Sequence, residues 1–222
     1  MVKRQGSKHL RLSVSANGEV RVSLPYWAPY ASGIYFARSR RAWIMNQVAV
    51  LKPIELSDGD RIGKTHRLYF LPGTAPQGHI RAKIEKNSIK ITTNLPFNDR
   101  RVQQAAIKAS ERALRKEAHH LLVPRLETIA RQHGFKNYDV KIRKLTSRWG
   151  SCSNQQVITL SYFLVQLPWR LIDYVLLHEL IHTKHLHHGG DFWDEMTAAI
   201  PDVKTLRKEI RAYKPRVDVL SA

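Results

Sequence analysis

One cysteine in 222 residues, Cys152, excludes a disulfide within the chain and a zinc site built from cysteines alone. Such sparing use of cysteine suits a reducing compartment, and we expect a cytoplasmic protein. No uncharged apolar run reaches the roughly 20 residues that a membrane-spanning helix needs, so no membrane partner is expected. The basic start, Met1-Val2-Lys3-Arg4-Gln5-Gly6, is followed by no apolar stretch, and a secretory signal is not expected. Acidic residues are also scarce. Eighteen Asp and Glu face 37 Lys and Arg, a formal net charge of +19. That balance favours phosphate-rich partners, and non-specific contact with nucleic acid through a basic surface is one expectation. The chain has neither an internal repeat nor a low-complexity linker, and 222 residues suffice to bury a core in one domain or two small ones.

The first half reads as strands around one helix. Leu10–Val14 and Val20–Leu24 alternate apolar and polar residues, and Ala16-Asn17-Gly18 between them is a hairpin signal. A helix follows Pro29 within residues 28 to 49. Asp58-Gly59 and Pro72-Gly73 mark turns, with strands expected at Leu68–Leu71, His79–Ile84 and Ser88–Thr92. Tyr26, Trp27, Tyr30, Tyr35 and Trp43 could stack on bases, but such a cluster more often forms the core and rim of a small sheet-helix unit.

A long helix is expected from Asp99 to about Leu122, with Pro124 kinking or restarting it before Gly134. Ile107, Leu114, Ala118 and Leu121 form its apolar stripe. Arg101, Lys108, Arg112 and Arg115 line another side and form the best candidate for a phosphate track. Two strands, Asp139–Leu145 and Gln156–Ser161, flank the loop Arg148–Ser153, in which Cys152 reads as a small buried residue. Pro168 then introduces an apolar-periodic helix, a further helix starts near Asp191 with its side chain as cap, and Lys204–Tyr213 forms the last.

The chemistry lies in the helix after Pro168, which contains His178-Glu179-Leu180-Ile181-His182. Two histidines four apart on a helix stand about one turn apart on one side, where two imidazoles can share one metal ion. The adjacent glutamate is then held near any water on that metal, the H-E-x-x-H arrangement of zinc peptidases. A catalytic zinc normally takes a third protein ligand. His185 lies on the same face but about 10 Å along the axis from His178. His188 can swing back if the helix ends near 185 to 187, which Gly189-Gly190 allows. His188 is therefore ranked first, then His187, then His185, with Glu195 a further option.

The chain resembles the YgjP-like zinc metallopeptidases, which are related to the SprT-like group. The resemblance is carried by Arg148-Trp149-Gly150-Ser151-Cys152-Ser153, by Val157–Ser161, by Leu167-Pro168 with Ile172–Val175, by His178–His182, and by His188 with Phe192-Trp193. It extends back to Asn17–Val22 and Arg41–Ile44. Ile181, His187 and Gly189 replace the family's usual alanine, asparagine and serine. The resemblance implies His178, His182 and His188 as ligands of Zn2+ and Glu179 as the catalytic acid/base. It also implies an α+β fold, a zincin-like metallopeptidase core preceded by a smaller β-rich amino-terminal region. On this reading residues 1–97 form the β-rich region, 98–214 the peptidase domain and 215–222 a tail.

The expected activity is hydrolysis of peptide bonds in a protein or peptide substrate, with Arg148, His185 and Tyr213 as candidate oxyanion donors. The strand Val157–Ser161 is expected to lie at an edge and pair with an extended substrate. Two alternatives stand beside this reading: a DNA-associated protease recruited by the basic surface, and a non-catalytic zinc-stabilised or nucleic-acid-binding module.

Overall fold

The computed structural model describes residues 1–14, 20–50, 54–76 and 78–217. The chain forms two compact units, Met1–Ile54 and Glu55–Ala222. The boundary expected at 97/98 falls inside the second of these.

The first unit contains β1 (Val2–Arg4), β2 (Arg11–Val14), β3 (Val20–Pro25), α1 (Tyr30–Ser39) and α2 (Arg41–Val50). Central β3 pairs antiparallel with β2, as its alternation predicts, and parallel with β1. The Ala16-Asn17-Gly18 turn lies outside the described residues. The core is small: Val22, Leu24 and Ala28, flanked by Leu10, Leu12, Phe36 and Ala37. Gly33 of α1 sits on that core, where a Cβ would stand 2.9 Å from both Leu24 Cδ2 and Met1 Sδ. One helix was expected here and two are present. The break at Arg40 (φ −105°, ψ 17°) follows Ser39, whose hydroxyl donates to the Phe36 carbonyl and competes with the helix ladder.

The second unit begins with a four-stranded sheet ordered β4-β5-β7-β6, formed by β4 (Arg61–Ile62), β5 (His66–Pro72), β6 (Ile80–Ile84) and β7 (Ser88–Thr93). β5 and β7 are parallel, and the two outer pairs are antiparallel. The 33-residue helix α3 (Arg100–Gln132) packs across this sheet. Its buried face is rich in alanine (Ala106, Ala109, Ala113, Ala118), which allows close approach, and Leu114, Leu122 and Leu126 fill the remainder. Ile107 and Leu121 lie at the half-buried margin of that face. Asp99 caps α3 by accepting from Arg101 N at 2.8 Å. The helix runs through Pro124 without a restart; Pro124 lacks an N–H, and its own carbonyl accepts from Thr128 Oγ1 at 2.9 Å. Glu117 is buried on α3 and accepts from Lys64 N and Thr65 Oγ1, which anchors the β4–β5 turn.

A second sheet, β8 (Asp139–Arg143), β9 (Gly150–Cys152) and β10 (Val157–Ser161), has the order β8-β10-β9. This corrects the edge-strand expectation: β10 is central, parallel to β8 and antiparallel to β9. Residues 157–161 therefore have both backbone sides engaged, and β9 is an edge. After β10, a 3-10 turn over Tyr162–Gln166 leads into α4 (Trp169–Ile181), α5 (Gly190–Ala199) and α6 (Val203–Glu209). Asp191 lies in the first turn of α5 and makes no capping hydrogen bond; Gly189 is the cap residue. Beyond α6, Val217 is buried and its carbonyl accepts from Gln166 Nε2 at 2.7 Å, so the beginning of the expected loose tail is held down.

Candidate metal centre

α4 is fixed by its apolar face. Leu171, Ile172, Val175, Leu176, Leu177, Leu180 and Ile181 are buried, and Pro168 at the N-cap accepts the amides of Leu171 and Ile172. The helix ends at Ile181, a turn earlier than expected. Thr183 contributes to that stop, because its hydroxyl donates to the Leu180 carbonyl at 2.6 Å. A tight turn closes through Lys184 N and His185 N, which both donate to the Ile181 carbonyl. Gln156 Nε2, at the start of β10, holds the turn through the Thr183 carbonyl at 3.2 Å. The chain then reverses, and His188 comes back over α4.

Three ring nitrogens converge. His182 Nε2 lies 3.2 Å from His178 Nε2 and 3.1 Å from His188 Nε2, and the remaining pair is 3.0 Å apart. Nitrogens around a tetrahedral ion, each about 2.0–2.1 Å from it, stand roughly 3.3 Å apart. The observed triangle matches that spacing within a few tenths of an ångström. His182 Nδ1 is 2.9 Å from the His185 carbonyl, which can accept only from a protonated Nδ1, a bond that selects the tautomer with its lone pair on Nε2. Burial, reinforced by the two neighbouring imidazoles, pushes His178 down to about 3, so its ring is neutral at physiological pH. His188 is lowered by burial and then by His182. Imidazole nitrogens gathered this closely, with their lone pairs turned inward, suit a cation among them, and these three residues could hold a metal ion.

Of the other candidates, His185 and Glu195 are engaged with each other. His185 Nε2 is 3.0 Å from Glu195 Oε2, and Lys184 Nζ donates to Glu195 Oε1 at 2.7 Å. Burial is the largest single influence and would raise the Glu195 carboxyl, but Lys184 and His185 together outweigh it and hold the group below its usual range. His187 is exposed and outside the cluster. Arg148 and Tyr213 both line a depression of about 410 Å³, together with Arg211 and Lys214.

Glu179 is 5 % exposed, and burial pushes its carboxyl up to about 8 against the opposing charge of Arg148. Its Oε2 is buried with no hydrogen-bond partner among the described residues. A metal-held water would supply one, and a cation nearby would bring the carboxyl back down.

Two supports were not read from the sequence as such. Phe192 is fully buried, with its ring centroid 4.7–4.9 Å from all three imidazoles, and Trp193 stacks on His188 at 5.8 Å. Gly150 on β9 lies against the glutamate: a Cβ there would stand 2.6 Å from Glu179 Oε1. Both residues lie in segments that carried the resemblance, but nothing in a linear pattern says what their neighbours in space are. Cys152 is half-buried on the same strand, and burial, then the Glu179 charge, pushes its thiol up to about 11.

A family model described as YgjP-like, metallopeptidase domain matches residues 8–213. Similar solved structures include the metallopeptidase zymogen abylysin of Pyrococcus abyssi, 26 % identical over 41 % of this chain and 93 % of its own, with a TM-score of 0.39. Another is the zymogen jannalysin of Methanocaldococcus jannaschii, 20 % identical over 41 % of this chain and 94 % of its own, with a TM-score of 0.38. No curated protein matches the chain. Matched by the family pattern over nearly its whole length, and with three imidazoles and a buried glutamate gathered at the end of α4, this chain belongs to the YgjP-like metallopeptidases.

Proposed function

We propose that the protein is a zinc-dependent endopeptidase, with His178, His182 and His188 holding Zn2+ and Glu179 as general acid/base. The observation that carries this reading is the Nε2 triangle on the same helix as a buried carboxylate whose Oε2 lacks a partner. Nitrogen ligands at tetrahedral spacing suit zinc, which when bound acidifies a coordinated water to a pKa of about 7 and polarises a carbonyl. Glu179 takes a proton from the attacking water at its unpartnered oxygen and returns it to the departing amide nitrogen. Gly150 leaves room for that carboxylate, and the His185 carbonyl fixes the tautomer of His182. As an edge strand, β9 offers backbone groups to an extended substrate beside Glu179, the role expected of residues 157–161.

The test is metal content by elemental mass spectrometry, read beside hydrolysis of an unfolded protein substrate. Wild type is expected to carry about one zinc per chain. His188→Ala is expected to lose it, and chelation is expected to abolish hydrolysis. A wild-type protein without zinc after reconstitution would overturn the proposal, as would a His188→Ala protein with undiminished zinc and turnover.

A further inference from the structure

The first compact unit carries a surface that peptide hydrolysis does not use. Met1–Ile54 contains nine lysines and arginines and a single carboxylate, Glu19, a net charge of +8 in 54 residues. The other 168 residues carry 28 basic and 17 acidic side chains, a net of +11. The smaller unit thus has more than twice the charge density and almost no internal compensation.

Apart from Phe36, its aromatic residues are on the outside. Trp27 and Tyr35 are each 77 % exposed, Tyr26 70 % and Tyr30 52 %. Of the expected role as core and rim of this unit, the core part fails, because that core is already filled by Val22, Leu24, Ala28 and the inner face of α1. On a helix with 100° per residue, buried Gly33 and half-buried Phe36 and Ala37 take one side, while Tyr30, Ile34, Arg38, Ala31 and Tyr35 follow one another around the other. Tyr26 and Trp27 immediately precede that helix. Lys3 reaches the same place from β1, its Nζ 5.1 Å from the Tyr30 ring and 5.7 Å from the Tyr26 ring. Lys3 thus sits between the Tyr26 and Tyr30 rings, and exposed Arg38 and Tyr35 continue the outer side of the same helix.

We infer that this face binds single-stranded nucleic acid, with Trp27 and Tyr35 stacking on bases and Lys3 and Arg38 meeting phosphates. Charge selects the partner: a face with no acidic neighbour in its described unit suits a polyanion. The ring chemistry selects among polyanions. Unstacked bases present π faces that exposed Trp and Tyr rings can cover, whereas a duplex keeps those faces inside its own stack. An anionic membrane would match the charge, but it favours an aliphatic inserting face, and here the three most exposed large apolar side chains are Trp27, Tyr35 and Tyr26. The basic side of α3 is the competing surface. It forms a groove of about 650 Å³ lined by Lys108, Arg112, Arg115 and Arg143, but the only aromatic ring lining it is that of buried Tyr162.

The test uses the full chain and fluorescence anisotropy with labelled oligothymidine and oligouridine of about 20 nucleotides and a duplex of equal length, across salt from about 50 to 200 mM. The expected result is salt-sensitive binding that is tighter for the single strands than for the duplex; the thymidine and uridine arms distinguish DNA from RNA. Trp27→Ala with Tyr35→Ala is expected to weaken single-strand binding about tenfold or more, since stacking contributes about 1–3 kcal/mol per base. Trp27→Phe with Tyr35→Phe, which keeps the rings, is expected to retain most of it. Lys108→Ala with Arg112→Ala is expected to leave the single-strand preference in place.

Several results would overturn the inference: no binding, equal affinity for duplex and single strand, an unchanged double-alanine variant, or loss confined to the α3 variant. Binding only to vesicles containing phosphatidylserine would overturn it in favour of a membrane. Binding does not depend on the peptidase reading, and Glu179→Gln protein is expected to bind oligonucleotide like wild type whether or not hydrolysis is ever found.

Discussion

The two compact units differ in where their most buried and most exposed aromatic side chains lie, although Trp169 and Phe97 of the second are also exposed. In Glu55–Ala222, Phe163 and Phe192 are sealed inside, and Phe192 serves as the floor on which three imidazoles rest. In Met1–Ile54 the largest rings face outward around a core of three fully buried residues. Burial of a ring contributes to folding, so an aromatic in the interior needs no other explanation. A ring left in water contributes little to folding, and its presence calls for a partner. The contrast also separates two kinds of histidine- and arginine-rich surface: one is closed around a point, the other spread along a face.

The contrast can be broken or sharpened by substitution, beginning with the largest effect. Glu179→Gln is expected to lower peptide hydrolysis by about 10²–10⁴-fold with zinc retained. Its thermal midpoint should match or exceed wild type, because the buried carboxylate has an oxygen with no partner. Normal turnover in this variant would move the chemistry away from α4. Phe192→Ala removes the floor and should cost about 3–5 kcal/mol in denaturant unfolding, with weaker metal binding measured by competition with a chelator. Gly150→Ala places a methyl group 2.6 Å from Glu179 Oε1 and should reduce kcat about 10- to 100-fold with metal content intact, a shift in position rather than a loss of ligand. Unaltered kinetics there would mean that the glutamate can move aside at no cost. At the small end, Trp27→Ala and Tyr35→Ala should each change stability by no more than about 0.5 kcal/mol, although each deletes as large a ring as Phe192→Ala does. A loss near that of Phe192→Ala would mean that these rings are structural and would remove the contrast.

How much of this was legible in the sequence depends on the distance over which each feature is specified. His178, Glu179 and His182 were readable because helical spacing alone puts them together. His188 needed one further piece of information, the reversal after Ile181, which the sequence suggested through Gly189-Gly190 and which the structure makes earlier, at Thr183, Lys184 and His185. The sheet order was not readable. Whether β10 is central or at an edge depends on β8 and β9, and period-2 alternation is the same in either place. The break between α1 and α2 rests on a single hydroxyl of Ser39. The outward aromatics were misjudged for a related reason: hydrophobicity says that a ring would gain from burial, not that the core has room for it. Parallel pairing of β1 with β3 was missed because a three-residue strand gives almost no pattern.

The bond from His182 Nδ1 to the His185 carbonyl has an implication for how this site can vary. A ligand oriented by a side chain can be lost by a point mutation in its partner. Here the partner is main chain, which every amino acid supplies, so replacing the side chain at 185 removes the tie to Glu195 but leaves the acceptor in place. What the arrangement cannot absorb is a change in the number of residues between His182 and His188. One inserted or deleted position would carry the carbonyl and the third imidazole away together. The turn is tolerant of spelling and intolerant of length.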